Sequence, residues 1–380
     1  MPELGGRTRA AAGTHAPAAL DDALGRHLFA SLQRSGQRAK AEQYVRGLLS
    51  VPGRKTLRNI AARFDGAAAQ QSVHHFISSS PWEWTPVRHA LARHAYRTLA
   101  PEAWVIRHTL IPKVGSHSVG VDLQPTPYGS VNAQRAVGSW LVSPRAAVPV
   151  DWQLHLSERW MTDPLRRRAS VPEDAAVCST EECVRETVFS VLGIDGGLRL
   201  PVVVDIPGLD GASTARFLSS LGLPFLVRVG RATPLRLDRA ELPRYGDLER
   251  TAGDLAEFLP RLRRRVDPGD GPTTAAAIPV VPPPAEGEGM VLLCEWNAAG
   301  RRRLWLTNTT APSPVPALRL TRLPAAVVRD FTAVSERVGV RDFAGRSFPG
   351  WHRHITLASV AHLIAVTTTT ELPSGNLTLS

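Results

Sequence analysis

Residues 104–120 read WVIRHTLIPKVGSHSVG, and this stretch decides how the rest of the chain is interpreted. A β-branched run opens at Val105, and a second run begins at Val119 after a turn-forming segment, so the pattern predicts a β-hairpin. The end of a strand is a suitable platform for catalytic carboxylates. The residues found at this strand end are Arg107 and His108.

The composition indicates a folded, basic protein. The chain has 380 residues, 43% of them hydrophobic, which is enough for two or three domains that each bury a core. The formal net charge of +11 is expected of a protein that neutralises phosphates. Only Lys40, Lys55 and Lys113 are lysines, so 45 basic residues minus 3 leaves 42 arginines, and a GC-rich coding bias explains most of that skew.

The cysteines and the apolar runs indicate the cellular compartment of the protein. Cys178, Cys183 and Cys294 are an odd number without CxxC spacing, which argues against a disulfide framework and against a zinc site. No apolar run approaches the roughly 20 residues that a membrane helix needs, and the first residues lack the apolar segment of a signal peptide. We therefore expect a cytoplasmic, nucleoid-associated protein with no membrane partner.

The first hundred residues predict a disordered arm, 1–20, followed by an all-α domain, 21–100. Apolar residues recur there at helical spacing in short segments that are separated by tight turns. One of these segments carries Lys55 and Arg58 off its apolar face. It could be the recognition helix of a helix-turn-helix-like module, or an ordinary amphipathic helix with a solvated basic face.

The remainder of the chain predicts an α/β core. Apolar runs indicate strands at 132–143, 201–205 and 224–229, and a helix is predicted at 180–192. The run at 201–205 closes on Asp205. Taken alone, an Asp at a strand end is more often a cap than a metal ligand. The segment 231–289 has no clean period.

Several of these motifs resemble those of the DDE-type insertion-sequence transposases, most closely the seven-oh-one insertion-sequence family. In that family a strand ends in Asp-Asp-Thr-Gly-Phe-x-Lys-x-Gly and is followed by His-Ser-Val-Gly-Val. The residues of this chain that match are Thr109, Pro112, Lys113, Gly115 and 117–121. The two aspartates do not match, because Arg107 and His108 stand in their place.

The resemblance also places the other two catalytic positions. Segment 343–357 matches the family almost residue for residue, and it fixes the register of the preceding helix. Counting back through Phe331 puts the family's catalytic Glu at Val328. Asp205 takes the position of the second catalytic Asp.

The resemblance implies an RNase H-like core behind the helical domain, with double-stranded DNA as the partner. The core would comprise 101–230 and 290–370, with paired strands at 290–296 and 301–307 and a helix at 324–338. It would be interrupted at 231–289 by an insertion that is partly loop and carries a Pro-rich linker, and it would be followed by a tail at 371–380. The side chains expected to contact DNA are basic residues of the helical domain or residues near the former catalytic positions: Lys55, Arg58, Lys113, Arg135, Arg346, Arg353 and His354.

The replacements matter because a two-metal phosphoryl-transfer site needs carboxylates around both cations. Arg107 puts a fixed positive charge where a carboxylate belongs. We therefore expect a vestigial Asp205, with Arg107 and Val328 at the lost acidic positions and no cofactor. If a metal site persists, Asp205 is its one expected ligand. Other groups near the motifs do not restore the carboxylate of the helix: Asp122, Asp210, His108 and Asp330, the last on the helix face opposite Val328.

Four functions remain open at this point. We rank highest a transposase-derived DNA-binding protein without catalytic activity, domesticated as a regulator. The second is an active transposase that uses Mg²⁺ or Mn²⁺ with altered ligands. The third is a non-catalytic subunit that pairs with an active transposase and inhibits it, and the fourth is the product of a decaying gene. A homodimer is compatible with each of them.

Overall fold

The computed structural model describes residues 20–64, 66–194, 199–245, 248–283, 289–296, 300, 302–311 and 313–370. The predicted tail 371–380 lies outside the described residues. So does the predicted arm 1–20, apart from Leu20, which is buried. Within the described part of the chain, no helix combines the length and the apolarity needed to cross a lipid bilayer.

The first part of the chain is helical, as predicted. It contains α1 (Asp22–Leu28), α2 (Ser35–Ser50), α3 (Leu57–Ala61), α4 (Gly66–Ser78) and α5 (Thr85–Leu99). The Asp21 side chain caps α1 by accepting a hydrogen bond of 2.7 Å from the Leu24 amide. At α5 the N-cap residue is Trp84, and Pro86 lies in the first turn.

The described strands form one mixed sheet. They are β1 (Ala103–Pro112), β2 (Val121–Thr126), β3 (Gly129–Val142), β4 (Ala147–Leu154), β5 (Val202–Val204), β6 (Phe225–Arg228), β7 (Pro234–Leu237), β8 (Glu249–Thr251), β9 (Arg264–Val266), β10 (Thr273–Val281), β11 (Met290–Trp296) and β12 (Arg302–Thr307). Their order is β2-β3-β1-β5-β6-β12-β11-β10-β7-β8, with β4 also beside β3 and β9 beside β10.

Five of these strands, in the order β4-β3-β1-β5-β6, form the centre of the sheet. β4, β3 and β1 are antiparallel neighbours, whereas β5 runs parallel to β1 and β6 runs parallel to β5. Three antiparallel strands followed by two parallel ones are the arrangement of an RNase H-like core. The α/β fold expected from the sequence is therefore confirmed.

The predicted hairpin between β1 and β2 is wrong. β3 is 14 residues long and lies between the two strands, so that Gln134 is paired with Ile111 on one side and with Val121 on the other. The segment between β1 and β2 is a connection that passes over β3 and ends at Gly120, whose φ of 72° suits glycine. Strand β1 also continues to Pro112, beyond the expected end at Thr109.

The segment 231–289 has more regular structure than its sequence predicts. It contributes β7 to β10 and the helix α10 (Ala252–Phe258), and its longest strand, β10, pairs with β11. The insertion therefore widens the sheet on the side of β12. Short strands of three or four residues carry too little alternation to be recognised by period alone.

The other helices cover the sheet or connect its strands. They are α6 (Glu158–Met161), α7 (Leu165–Arg168), α8 (Thr180–Leu192), α9 (Gly211–Ser220), α11 (Val315–Leu320), α12 (Leu323–Asp330) and α13 (Phe348–Thr370). α12 continues into one π-helical segment, Phe331–Ser335. α13 is buried on nearly all sides and packs between β4 and the helices α2, α4 and α5, so it joins the helical part of the chain to the sheet.

Candidate functional site: an arginine-neutralised carboxylate

Two of the three positions that the resemblance assigns to catalysis lie side by side, where β5 ends beside β1. Ile106 of β1 is paired with Val204 of β5, and the Asp205 amide donates a 3.1 Å hydrogen bond to the Ile106 carbonyl oxygen. The side chains of the next two residues, Arg107 within β1 and Asp205 just after β5, therefore project at the same level from the same face of the sheet. The register predicted from the motifs brings these two side chains together.

Both carboxylate oxygens of Asp205 face a guanidinium group. Arg228 Nη1 donates a 2.8 Å hydrogen bond to Oδ1, and Arg107 Nη1 lies 3.6 Å from Oδ2. The Asp205 side chain is only 9% exposed, so these two cations take up most of its accessible surface. The three formal charges sum to +1, where a nuclease site would carry a negative charge.

Arg228 was not among the predicted site residues. It follows Val227, which is paired with Val204, so the end of β6 meets the end of β5 at Asp205. Because parallel strands present their carboxyl ends at one edge, aligning the two predicted strands 201–205 and 224–229 would have indicated the contact.

The third position that the resemblance assigns to catalysis, Val328, lies on α12, the helix that Arg107 contacts. Arg107 Nη1 donates a 2.9 Å hydrogen bond to the carbonyl oxygen of Pro324 in α12. Val328 is four residues further along, hence about one turn away on the same stripe of the helix, and its side chain leans back towards Pro324. Val328 is 50% exposed, an apolar side chain at the rim of the site. Arg107 therefore joins Asp205 to the helix that carries Val328.

None of the alternative ligands completes a carboxylate cluster with Asp205. Asp330 is buried and accepts a 2.7 Å hydrogen bond from the Ala147 amide, while Asp210 caps α9 by accepting from the Ser213 amide. The Asp122 carboxylate lies 4.0 Å from Arg159 on the far side of β3. No group of three or more His, Cys, Asp or Glu side chains that could hold a metal ion occurs among the described residues.

His108 also lies away from Asp205. It follows Arg107 in β1, so its side chain points to the opposite face of the sheet. Burial lowers the pKa of His108, and the positive charges of Arg135 and Arg107 lower it further. The residues present therefore do not fit the two cations that a DDE site implies, because one carboxylate neutralised by two arginines cannot replace three carboxylates.

A basic cleft of about 270 Å³ opens beside Arg228, at the carboxyl ends of β5 and β6. Four arginine side chains line it together with the backbone of the loop that follows Asp205: Arg228, Arg231, Arg302 and Arg303. Two of them, Arg231 and Arg302, share the exposed carboxylate of Glu257, and Arg302 lowers the pKa of that carboxyl group. The cleft keeps an excess of positive charge and suits an anion.

Three side chains that the sequence predicted to contact DNA are instead buried. Lys55 donates to the carbonyl oxygen of Val51, and its amide donates a 2.7 Å hydrogen bond to Asp342. Arg353 and His354 of α13 bind groups of the protein itself. Arg353 donates to the Trp82 and Ile77 carbonyl oxygens, and His354 is hydrogen-bonded to the Tyr44 hydroxyl and to the Gly339 carbonyl oxygen. These side chains tie segments of the fold together and are withdrawn as DNA contacts.

The other four predicted contacts divide into two half-buried and two exposed side chains. Lys113 Nζ donates to the carbonyl oxygens of Arg341 at 2.9 Å and Phe343 at 2.7 Å, and burial lowers its pKa to about 8. Arg135 donates a 2.7 Å hydrogen bond to Gln124. Arg58 and Arg346 are exposed and remain predicted contacts.

Comparison with known proteins gives a family match over most of the first 278 residues. A family model described as DDE superfamily endonuclease matches residues 27–278, which is more than half of the chain. Among solved structures, the cryo-EM structure of the piggyBac transposase synaptic complex with hairpin DNA aligns with a TM-score of 0.38 and 12% identity, over 91% of this chain and 63% of that chain. This chain therefore covers less than two thirds of that transposase, and no curated protein matches. The narrower assignment to the seven-oh-one family stays a prediction, whereas the match over residues 27–278 shows that the chain belongs to the DDE superfamily endonucleases.

Proposed function

We propose that this protein is a transposase-derived DNA-binding protein that neither cleaves DNA nor transfers strands. The observation that supports the proposal is the pair of guanidinium groups, from Arg107 and Arg228, on the two oxygens of Asp205. An intact DDE site uses its carboxylates to hold cations, and here the surviving carboxylate already has cationic partners.

Electrostatics oppose a divalent ion at this position. At about 4 Å and an effective dielectric constant near 20, each pair of unit charges interacts by about 4 kcal/mol. A dication beside Asp205 would be attracted by one unit of charge and repelled by two, and solvent screening of the half-exposed Arg228 weakens one of the repulsions without changing the sign of the sum. A guanidinium group stays protonated and has no lone pair to offer a metal, so neither arginine can serve as a ligand.

The same charges favour a phosphate group. Arginine binds phosphate oxygens with parallel N–H donors, and the cleft beside Arg228 presents Arg303, an exposed side chain, next to Arg231 and Arg302. Together with Arg58 and Arg346, these side chains are the proposed contacts to the DNA backbone. Occupation of DNA ends without cleavage would make the protein a regulator of related active elements.

The test combines a binding assay with a cleavage assay on double-stranded DNA that carries the sequences flanking the gene. We expect binding that weakens steeply with added salt, and no cleavage with Mg²⁺ or Mn²⁺. Replacing Arg303 by Gln should reduce the slope of log K against log salt by about 1, as expected when one phosphate contact is lost.

Arg145→Gln is the matched control, because Arg145 is exposed and lies in the β3–β4 turn, at the sheet edge opposite the cleft. It should leave both the affinity and the salt slope unchanged. Metal-dependent cleavage that disappears in Asp205→Asn would contradict the proposal and favour an active enzyme with altered ligands.

A further inference from the structure

Two cysteines meet at the start of α8. Cys178 precedes the N-cap residue Ser179, and Cys183 lies in the first turns of the helix. Their Sγ atoms are 2.6 Å apart, within about 0.6 Å of the length of a disulfide bond, about 2.05 Å. The other cysteine, Cys294, is buried in β11, away from this pair in the sequence.

The surroundings hold the two sulfur atoms in this position. Ser179 and Glu182 form a capping box, in which the Ser179 hydroxyl accepts from the Glu182 amide at 3.1 Å and the Glu182 carboxylate accepts from the Ser179 amide. The Cys178 amide donates to the Leu156 carbonyl oxygen at 3.3 Å, which ties the preceding loop to the end of β4. The pair is therefore fixed on both sides by backbone contacts.

We propose that Cys178 and Cys183 are a modification site, a thiol pair that closes reversibly to an intramolecular disulfide. The inference uses the geometry of α8 and does not depend on the proposed DNA-binding function. An odd number of cysteines argues against a disulfide framework. A single reversible bond between the residue before the N-cap of α8 and the first turns of that helix is compatible with this, because it holds no framework together.

The oxidant class is a peroxide, with hydrogen peroxide as the simplest case. Cys178 is half-buried and Cys183 fully buried, so the Cys178 thiolate is the group that attacks the peroxide oxygen. The O–O bond breaks, water leaves after protonation, and Cys178 becomes a sulfenic acid. The Cys183 sulfur then attacks the Cys178 sulfur, the S–S bond forms and the S–O bond breaks with loss of a second water. In total, two thiols lose two electrons and two protons, and one peroxide becomes two waters.

The hydrogen bond between the thiols favours this order of events. Donation from Cys183 lowers the pKa of the Cys178 thiol, and the same contact, together with burial, raises the pKa of Cys183. Reactivity of a cysteine follows its thiolate form. Reduction by a dithiol would reverse the step through a mixed disulfide.

The turn that carries the pair also contacts the neighbourhood of Asp205. The Thr180 hydroxyl is within 3.5 Å of Arg135, and the Glu181 carboxylate accepts a 3.3 Å hydrogen bond from the amide of Asp210. Asp210 ends the loop that begins after Asp205 and lines the basic cleft. A disulfide would therefore constrain a turn in contact with that loop.

Peptide mapping tests the proposal directly. Both cysteines fall in one tryptic peptide, 169–185, and Cys294 falls in another. After treatment of the native full-length chain with hydrogen peroxide and alkylation under denaturing conditions, we expect peptide 169–185 to lack two hydrogen atoms and to carry no alkyl group. Dithiothreitol before alkylation should restore two alkylation sites. Cys294→Ser is the matched control and should behave like the wild type.

The single variants separate a disulfide from simple oxidation. In Cys183→Ser, Cys178 should stop at the sulfenic acid, which a cyclic 1,3-dione traps, whereas in Cys178→Ser the buried Cys183 should remain unmodified. The proposal is overturned if both cysteines of the folded wild type stay alkylatable after peroxide treatment. It is also overturned if Cys178 gains oxygen while Cys183 stays free, or if a linked dimer forms instead.

Discussion

Restoring the acidic side chains should restore metal binding, and the structure indicates which three changes are needed. Arg107→Asp and Val328→Glu return carboxylates to the positions beside Asp205 and on the facing stripe of α12. Arg228→Gln removes the cation that donates to Asp205 Oδ1. The formal charge of the four side chains then changes from +1 to −3. Without the third change, Arg228 would still donate its hydrogen bond to the Asp205 carboxylate, which is the expected metal ligand.

The expected effect on metal affinity is large. A dication gains about 8 kcal/mol for each unit of charge changed at about 4 Å with an effective dielectric constant near 20. Four units give about 32 kcal/mol, an upper bound that desolvation of the ion and of the carboxylates, and screening of exposed groups, offset for the most part. If only a tenth remains, about 3 kcal/mol, the dissociation constant falls by more than a hundredfold.

Isothermal titration with Mn²⁺ measures this difference. The matched control is the triple amide variant Arg107→Asn, Val328→Gln and Arg228→Gln, which has the same shape without the added negative charges. Tighter binding by the acidic variant than by the amide variant is the expected result. If both variants are folded and bind Mn²⁺ equally weakly, the three positions do not converge on one cation, and the reasoning from register and helix stripe is refuted.

The buried pair Arg88–Asp151 should be essential for stability, since both side chains are nearly inaccessible and Arg88 also donates to Thr356 at 2.8 Å. Arg88→Met should lower the free energy of unfolding in urea by about 3–5 kcal/mol, because it leaves a buried carboxylate unpaired. The double variant Arg88→Met with Asp151→Leu should be less destabilised than Arg88→Met alone. A double variant that is less stable than the single one would contradict this account. Acid should also destabilise the protein through His354, whose burial lowers its pKa from 6.5 to about 4. Between pH 6.5 and 4 the His354 imidazole binds a proton in the unfolded chain but not in the folded chain. The free energy of unfolding should therefore fall as the pH drops from 6.5 towards 4. This fall should be smaller in His354→Gln. An unchanged pH slope in that variant would show that other groups carry the effect.

Local sequence signals were sufficient for elements whose ends carry their own chemistry. The helix predicted at 180–192 is confirmed as α8, and Ser179 and Glu182 form a capping box at its start. The strand at 290–296, which the resemblance implies, is confirmed as β11. The pairing of β1 with β3, not with β2, depends on contacts between distant segments and could not be read from either strand alone.

The site residues divide in the same way, between those that local motifs place and those that depend on contacts between distant segments. Motif register placed Arg107, Asp205 and Val328, and the structure puts Arg107 beside Asp205 and in contact with the helix that carries Val328. Arg228 was missed because its contact with Asp205 depends on which strands are parallel neighbours.

Buried charge was the main source of error among the predicted DNA contacts. Charged side chains are rarely fully buried, so Lys55 and Arg353 were expected at the surface. Residues from distant parts of the chain lie against them: Asp342, which accepts from the Lys55 backbone amide, and Trp82, whose carbonyl oxygen accepts from Arg353. The segment 343–357, which carries the strongest match to the transposases, overlaps the buried helix α13, so much of its sequence is explained by packing.

The most direct test of the central claim is an anomalous difference map from crystals of the wild-type protein soaked in Mn²⁺. The account predicts no manganese peak beside Asp205, and electron density for Arg107 and Arg228 in contact with its two carboxylate oxygens. A manganese ion coordinated by Asp205 and by other carboxylates of this chain, with the arginines turned away, would contradict it.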